Sequence, residues 1–427
     1  LETRVLPAAR AQAVSRPKPG QRALLTFTAA NRTMPIGWKE KSGGARMRLF
    51  HISDLHLGKK LNEASLLEDQ RHMLRQALAL ADREKPDALL IAGDVYDKPV
   101  PSAEAVGLLD EFLTGLAERN LPVVAISGNH DSAERLAFGS RLLSARNVYL
   151  SPVFAQGNAT LRPIRLTDEY GPVSIWPLPF IKPAHVRAAL PGTEAATYTE
   201  ALVAVLATLP MEPSERNVLV SHQFITGGVR SDSEDVSVGG LDNVDAAVFY
   251  NFDYVALGHL HRAQSVGRPE VCYSGSPLAY SFSEAGDEKS LTAVDLGPKG
   301  TVSVRALPLH PLHALREARG LYADLTLRAH YMNTQREDYL RVTLLDEQDV
   351  PDALAKLQTI YPNLLRLDYD NARTRENRQV NADDAPERRT PLNLLEQLYT
   401  LQNNQPLGPE QRAYSSALLE RIWEGRV

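Results

Sequence analysis

The chain has 427 residues, 43% of them hydrophobic and 23% charged, an ordinary balance for a folded protein with room for two or three domains. No run of about 18 apolar residues occurs, which excludes a membrane-spanning helix; the single cysteine, Cys272, excludes an intramolecular disulfide and fits a reducing cytoplasm. The formal charge of −5 hides an asymmetry: residues 1–46 hold nine Lys or Arg against two acids, so removing their +7 leaves −12 on the other 381 residues.

Residues 1–46 are rich in Ala and Pro and show no amphipathic period, so they read as a disordered extension, with Met47 as a start; a basic DNA-binding arm is the alternative. From Met47 to about residue 305, strands alternate with helices. The runs RLFHIS, ALLIAGD, PVVAISGNHD, RNVLVSH and DYVALGHLH are apolar enough for strands buried on both faces. Helices are predicted over 65–84, over 102–119 with Ser102 and Glu104 at its start, and over 133–145. The second carries two apolar stripes, Val106, Leu109, Leu113 and Leu116 beside Leu108 and Phe112; the surplus beyond one core face suits a dimer contact. ITGGVRSDSEDVSVGG (225–240) reads as a mobile loop, either gating substrate or a plain surface excursion, and Cys272 falls in a strand-like run where it packs.

The pattern then changes. Over 306–372, DYLRVTLLD and LLRLDYD read as strands flanking a helix, VPDALAKLQTIYP, begun by Pro and Asp: a small β-α-β unit. A charged linker (373–389) leads to two amphipathic segments in 390–427, with Leu392, Leu395, Leu398 and Leu401 on one and Ala413, Leu418, Ile422 and Trp423 on the other. Their apolar stripes need cover, from a partner or from the chain itself. No GxxxxGK[ST] loop occurs, so any dependence on ATP requires another subunit.

Seven ligand-type residues recur at the strand ends: Asp54 and His56 in SDLH, Asp94 in GDVYD, Asn129 in GNHD, His222 in SHQ, His259 and His261 in GHLH. Taken singly, a DLH or GNHD is more often a capped turn than a ligand, and His222 more often a satisfied core histidine. Together they converge, because strand C-terminal ends in an open α/β sheet line one crevice. Carboxylate, imidazole and amide oxygen without thiolate suit manganese, magnesium, iron or zinc. Seven donors exceed what one open catalytic ion needs and match a pair sharing a carboxylate, with Asp94 the natural bridge; such pairs perform phosphoester chemistry.

The ordered set DxH, GDxxD, GNHD, H and GHxH resembles the calcineurin-like metallophosphoesterases. The resemblance implies a β-sandwich flanked by helices, an α/β fold. It places Asp54, His56, Asp94 and His261 on one metal and Asp94, Asn129, His222 and His259 on the other. It gives His130 contact with the scissile phosphate and protonation of the leaving oxygen, and Asp97 an orienting role behind the ligands. Lys98-Pro99 and Asp131 stand where the protein phosphatases of that superfamily carry Arg-Gly and Glu. The chain is instead similar to its bacterial repair-nuclease branch, through FHISDLHLGK (50–59), AGDVYDKPVPS (92–102), GNHDS (128–132), GHLHR (258–262) and, most discriminating, YSGSPLAYSFSEAGDEK (273–289). That branch implies manganese, 3′-to-5′ exonuclease and hairpin or single-strand endonuclease activity. It also implies a capping domain (306–372), a homodimer, and C-terminal helices (390–427) that dock an ATPase of the structural-maintenance type in a heterotetramer.

A body at −12 binds DNA phosphates poorly over a broad surface and needs a local basic face, bound metal, dimerisation or a partner. Lys59, Lys60, Arg230 and Arg262 flank the motifs and are candidates for phosphate contact or simply solvated charges. A small-molecule phosphodiesterase on the same fold, and a catalytically silent scaffold, are the alternatives.

Overall fold

The apolar runs that end in motifs fold as strands of two six-stranded sheets in a computed structural model that describes residues 46–423, apart from 152, 156–160, 235–242, 373, 375–390 and 404. The extension expected over 1–46 up to residue 45, nearly all of the linker expected over 373–389 and the end of the 225–240 loop lie outside the described residues. In chain order, β1 (Met47–Ile52) leads through a hairpin, β2 (Lys60–Leu61) and β3 (Ala64–Ser65), into α1 (Leu67–Glu84); β4 (Ala88–Ala92), α2 (Ala103–Glu118), β5 (Val123–Ile126) and β6 (Val148–Leu150) follow. The second sheet takes β7 (Ile164–Asp168), β8 (Gly171–Pro177), β9 (Arg216–His222), β10 (Tyr254–Gly258), β11 (Gln264–Val266) and β12 (Arg268–Tyr273). β13 (Ser290–Leu296) and β14 (Val302–Pro308) then return to the first.

The orders are β14-β13-β1-β4-β5-β6 and β11-β12-β10-β9-β8-β7, parallel in the centre of each sheet and antiparallel where β13, β14, β7 and β11 join. Successive strand side chains point to opposite faces. Met47, Leu49, Leu90, Val124 and Ile126 therefore meet Val218, Val220, Tyr254 and Ala256 between the sheets. Phe50, Ile52, Leu89, Ile91 and Val123 face α1 and α2 instead, and Leu219, Val255 and Leu257 face the helices Pro183–Ala189 and Tyr198–Leu206. The result is the expected sandwich flanked by helices. Each large side chain fully buried in these layers contributes about 1.5–3 kcal/mol.

Ser102 caps α2 by accepting from Ala105 N at 3.3 Å. Most of the apolar surplus expected on this helix is consumed by the core: Leu108, Leu109, Phe112 and Leu116 are buried, Leu113 packs against them, and only Val106 stands out, 46% exposed. The helix expected over 133–145 is broken into Ala133–Leu136 and Ser140–Leu143, followed by a 3-10 turn Ser144–Arg146, because Gly139 takes φ +73°.

After β14, the β-α-β unit gains a third strand. β15 (Leu315–Gly320), β16 (Tyr339–Leu344) and β17 (Leu364–Tyr369) form a parallel sheet in that order, with helix Ala353–Gln358 between β16 and β17 and an apolar cluster around Val342, Leu344 and Leu357. Pro351 and Asp352 directly precede that helix; Asp352, at φ 54°, makes no side-chain cap, but its carbonyl accepts from Lys356 N at 3.0 Å. The unit is tied to α1 by Asp69, a buried carboxylate that accepts from His313 N (2.9 Å) and Tyr339 Oη (2.9 Å). The C-terminal segments are helices Pro391–Asn403 and Pro409–Trp423, joined by an Arg412–Glu396 ion pair, with Leu394, Leu398 and Tyr414 at least half exposed. No helix among the described residues is long and apolar enough to cross a membrane.

Candidate metal centre

Each motif begins where a strand ends. Asp54 lies two residues beyond β1, Asp94 two beyond β4, Asn129 three beyond β5, His222 closes β9, and His259 follows β10 directly. The β1 and β4 loops run side by side, laced by Asp54 N to Gly93 O (3.0 Å), His56 N to Asp94 O (2.9 Å) and Leu57 N to Val95 O (3.0 Å). Asp54, His56, Asp94 and His259 all have positive φ, between 42° and 103°, so left-handed backbone concentrates at the site, where the surrounding fold must enforce it. Two motif glycines permit the close approach: a Cβ on Gly258 would lie 1.9 Å from Ala92 O, and one on Gly128 2.1 Å from Asp94 Oδ1.

The seven ligand-type side chains are brought together, six of them buried and Asn129 half-buried. His222 donates Nδ1–H to Ala92 O (2.8 Å), which turns Nε2 toward Asn129 Oδ1 (3.0 Å) and Asp94 Oδ2 (3.3 Å). His259 Nδ1 lies 2.9 Å from the same Asn129 oxygen. On the other side of Asp94, His56 Nε2 is 3.7 Å from Asp94 Oδ2 and 3.1 Å from His261 Nε2. Donor atoms of Asp54, His56 and His261 fall within 4.8 Å of one another, as do those of Asp54, Asp94 and His222.

Nitrogen and oxygen atoms of seven polar side chains are thus crowded into one spot, a donor set suited to bound cations. Electrostatics say the same. Burial pushes Asp54 up to about 6, while Asp94, despite burial, is held well below the carboxylate range by His222. His222 in turn, against burial, is raised to about 9 by Asp94 and Asp54. Burial drives His259 down to about 3 and lowers His56, leaving neutral imidazoles able to bind a cation. The donor set fits hard or borderline divalent ions on either side of Asp94.

His130 is different. Its ring is 20% exposed, its Nδ1 lies 3.1 Å from Asp97 O, and its Nε2 is 4.0 Å from Asp94 Oδ2. Asp97 sits 3.7 Å from His56 Nδ1 and accepts from Lys59 Nζ at 2.8 Å. Lys59 is therefore engaged by an acid of the site, and Arg262 by Asp287 (3.0 Å). Arg230 stacks 3.7 Å over the Phe224 ring, and Lys60 is exposed on the β2–β3 hairpin.

Several residues that organise the centre had no role assigned to them from sequence. Asp131, the last letter of GNHD, accepts from Val95 N, Tyr96 N and Gly128 N (2.9–3.0 Å), stitching two motifs together. Gln70 on α1 donates to His56 O (2.7 Å) and accepts from Gly58 N (3.0 Å). Glu284 and Lys289, inside the discriminating 273–289 stretch, pair at 2.6 Å behind His261.

Residues 47–263 match the calcineurin-like phosphoesterase family, and residues 308–403 match the type 5 capsule protein repressor C-terminal domain. The chain is similar to the SbcD component of the SbcCD nuclease from Staphylococcus epidermidis, 36% identical over 325 residues that cover 75% of this chain and 85% of the relative. Two solved structures align at low similarity. A Thermus thermophilus protein is 16% identical with a TM-score of 0.35, over 61% of this chain and 99% of its own. A dimetal phosphatase from Danio rerio is 12% identical with a TM-score of 0.38, over 62% and 97%.

Proposed function

The chain belongs to the calcineurin-like phosphoesterases and, within them, to the SbcD components of SbcCD nucleases, and from that premise we propose a manganese-dependent enzyme that degrades duplex DNA ends 3′ to 5′ and cuts single strands and hairpins. Its coarse activity is that of a metal-dependent phosphodiesterase. The observation that carries the reading is the convergence of seven nitrogen- and oxygen-bearing side chains, Asp94 at their middle, with His222 Nε2 3.0 Å from Asn129 Oδ1 and 3.3 Å from Asp94 Oδ2.

In this reading Asp54, His56, Asp94 and His261 hold one divalent ion, and Asp94, Asn129, His222 and His259 the other. When bound, such a pair polarises phosphate oxygens and acidifies a water to near neutrality. The protein's own contribution is positional. His222 keeps Nε2 inward by donating Nδ1–H to Ala92 O. His130 donates Nδ1–H to Asp97 O, so any proton it gives to a leaving oxygen moves at Nε2, the nitrogen on the Asp94 side. Asp97 lies behind His56, 3.7 Å from its Nδ1, and takes the Lys59 ammonium.

The acidic body argues for help with DNA. The unit over 306–372 serves as the capping domain beside the nuclease domain over 47–305. The helices within 390–427 dock an SbcC-type ATPase through the apolar side chains they leave exposed. Two copies of this chain with two ATPase chains make a heterotetramer that grips two DNA ends. Lys60 and Arg230 are the basic residues proposed for the phosphate backbone, with Lys59 and Arg262 exchanging their acid partners for it.

The test is the purified full chain with manganese on linear duplex, hairpin and mononucleotide substrates, beside Asp94→Asn. Cleavage of both DNAs and no turnover of mononucleotides is expected, with Asp94→Asn inactive and depleted of metal. Preference for mononucleotides would replace the nuclease by a small-molecule phosphodiesterase, and full activity of Asp94→Asn with two bound ions would remove the bridging role.

A further inference from the structure

His261 stands apart from the other histidines of the centre in how its far nitrogen is held. Nδ1 lies 2.7 Å from Ser233 Oγ, and that same hydroxyl lies 2.5 Å from Glu284 Oε1. A carboxylate only accepts, so the Ser233 proton points at Glu284 and the Ser233 oxygen must accept from Nδ1–H of His261. The relay leaves Nε2 as the bare nitrogen, and Nε2 is the atom 3.1 Å from His56 Nε2 at the centre. The backbone of His261 is fixed as well: its N–H donates to Glu234 Oε1 at 2.6 Å, and its carbonyl accepts from Lys289 Nζ at 3.0 Å.

Glu284 is fully buried yet held ionised by its surroundings. Lys289 Nζ meets it at 2.6 Å, Ser281 Oγ at 3.2 Å, and Ser276 Oγ and Tyr280 N at 3.4 Å. A buried ion pair of this kind adds little stability over an apolar replacement. Its placement behind one ligand is what distinguishes it. Ser233 and Glu234 come from the 225–240 loop, and Glu284 and Lys289 from the 273–289 stretch, so two segments distant in sequence close on one imidazole.

We propose that Ser233 and Glu284 are positioning residues that hold His261 as its Nδ1–H tautomer, and that through them the 225–234 segment sets the affinity of one metal position, the one shared with Asp54 and His56, and not the other. The proposal rests on the two-ion reading of the centre. Partners of this type behind a ligating histidine alter metal affinity by about 10–100-fold.

The test uses the full-length chain without DNA, titrated with Mn2+ and followed by the electron paramagnetic resonance of free ion. Ser233→Ala is the informative variant, because Ser233 is half-buried and its loss leaves the Glu284–Lys289 pair intact, whereas emptying Glu284 would strand a buried ammonium. Ser233→Ala should weaken one of the two Mn2+ affinities about 10–100-fold. The other affinity and the melting temperature in EDTA should be unchanged, and Ser233→Thr, which keeps the hydroxyl, should restore both affinities. Wild-type affinities at both positions in Ser233→Ala would overturn the proposal and leave the two-ion reading standing. Equal weakening at both positions, or a lowered melting temperature in EDTA, would also overturn it, since the loop would then act as general scaffolding. Fewer than two ions on the wild-type chain would remove the two-ion reading itself, and this proposal with it.

Discussion

Gly128→Ala adds one methyl group to the centre and nothing else. The new Cβ would lie 2.1 Å from Asp94 Oδ1, 2.5 Å from Asp94 N and 2.7 Å from Asp94 Cγ. Carbon contacts relax only at about 3.5–4.0 Å, so Asp94 Oδ1 must retreat by about 1.4 Å or the GNHD loop must lift. The backbone nitrogen among the clashing atoms prevents a simple rotamer escape. Overpacking of this size costs about 1–3 kcal/mol. Asp94 Oδ1 also accepts from His130 N at 2.9 Å, and losing a hydrogen bond to a charged group adds about 1.5–3 kcal/mol. Displacement near 1 Å at a reacting centre costs on the order of 100-fold in rate. Thermal melts with and without manganese, beside a nuclease assay, separate these effects. In the wild type, an ion at a hundred times its dissociation constant stabilises by about 2.7 kcal/mol; in Gly128→Ala that increment should vanish along with activity. Gly107→Ala is the matched control, with nothing within 4 Å of its Cβ inside α2 and an expected gain of about 0.5–1 kcal/mol. A Gly128→Ala enzyme with wild-type turnover and an intact manganese-induced shift would refute the claim that this glycine exists to admit Asp94.

His130→Ala should lower the single-turnover cleavage rate by about 100-fold or more while Mn2+ stoichiometry stays at two, because His130 is assigned to the scissile phosphate and not to an ion; loss of an ion on titration would make it a ligand instead. Truncation after Ala385 removes both C-terminal helices and should abolish co-purification with the ATPase partner while metal-dependent cleavage of single strands continues. A fall in melting temperature on that truncation would show that the helices belong to the body. His51 is fully buried, bonded to Tyr254 Oη (2.9 Å) and Leu257 O (3.2 Å), and burial lowers it to about 3. Its folded pKa lies below the unfolded value near 6.5, so the unfolded chain binds the proton first. Stability is full above pH 6.5 and falls as pH drops toward 3, by up to about 5 kcal/mol. In urea titrations with EDTA, His51→Asn should flatten that slope between pH 6 and 4, and an unchanged slope would place the acid sensitivity elsewhere.

The candidate ligands were legible because most follow a short run apolar on both faces and rich in β-branched residues, the pattern of an interior strand. The same logic fails where burial is one-sided or absent. LREARG, which became β15, alternates charge along a sheet edge and has no apolar run to announce it. The break at Gly139 leaves Phe138 85% exposed, so the apolar residues of 133–145 counted toward a helix that tertiary structure does not cover. Glu284 reads in sequence as one acid among several, and only the fold brings Lys289, Ser233 and His261 around it. The second stripe of α2 misled in the other direction, since packing against α1 and the first sheet absorbs most of it.

Asp69 gives the small parallel sheet a mechanical character. To swing that sheet away from α1, the chain must strip the His313 amide and the Tyr339 hydroxyl from a carboxylate that is 1% exposed. A buried charge deprived of its partners costs about 3–5 kcal/mol. The sheet is therefore latched rather than sprung. The latch sits on α1, and the segment before α1 carries His56 and Lys59, so the small sheet is fastened to the element next to the metal centre.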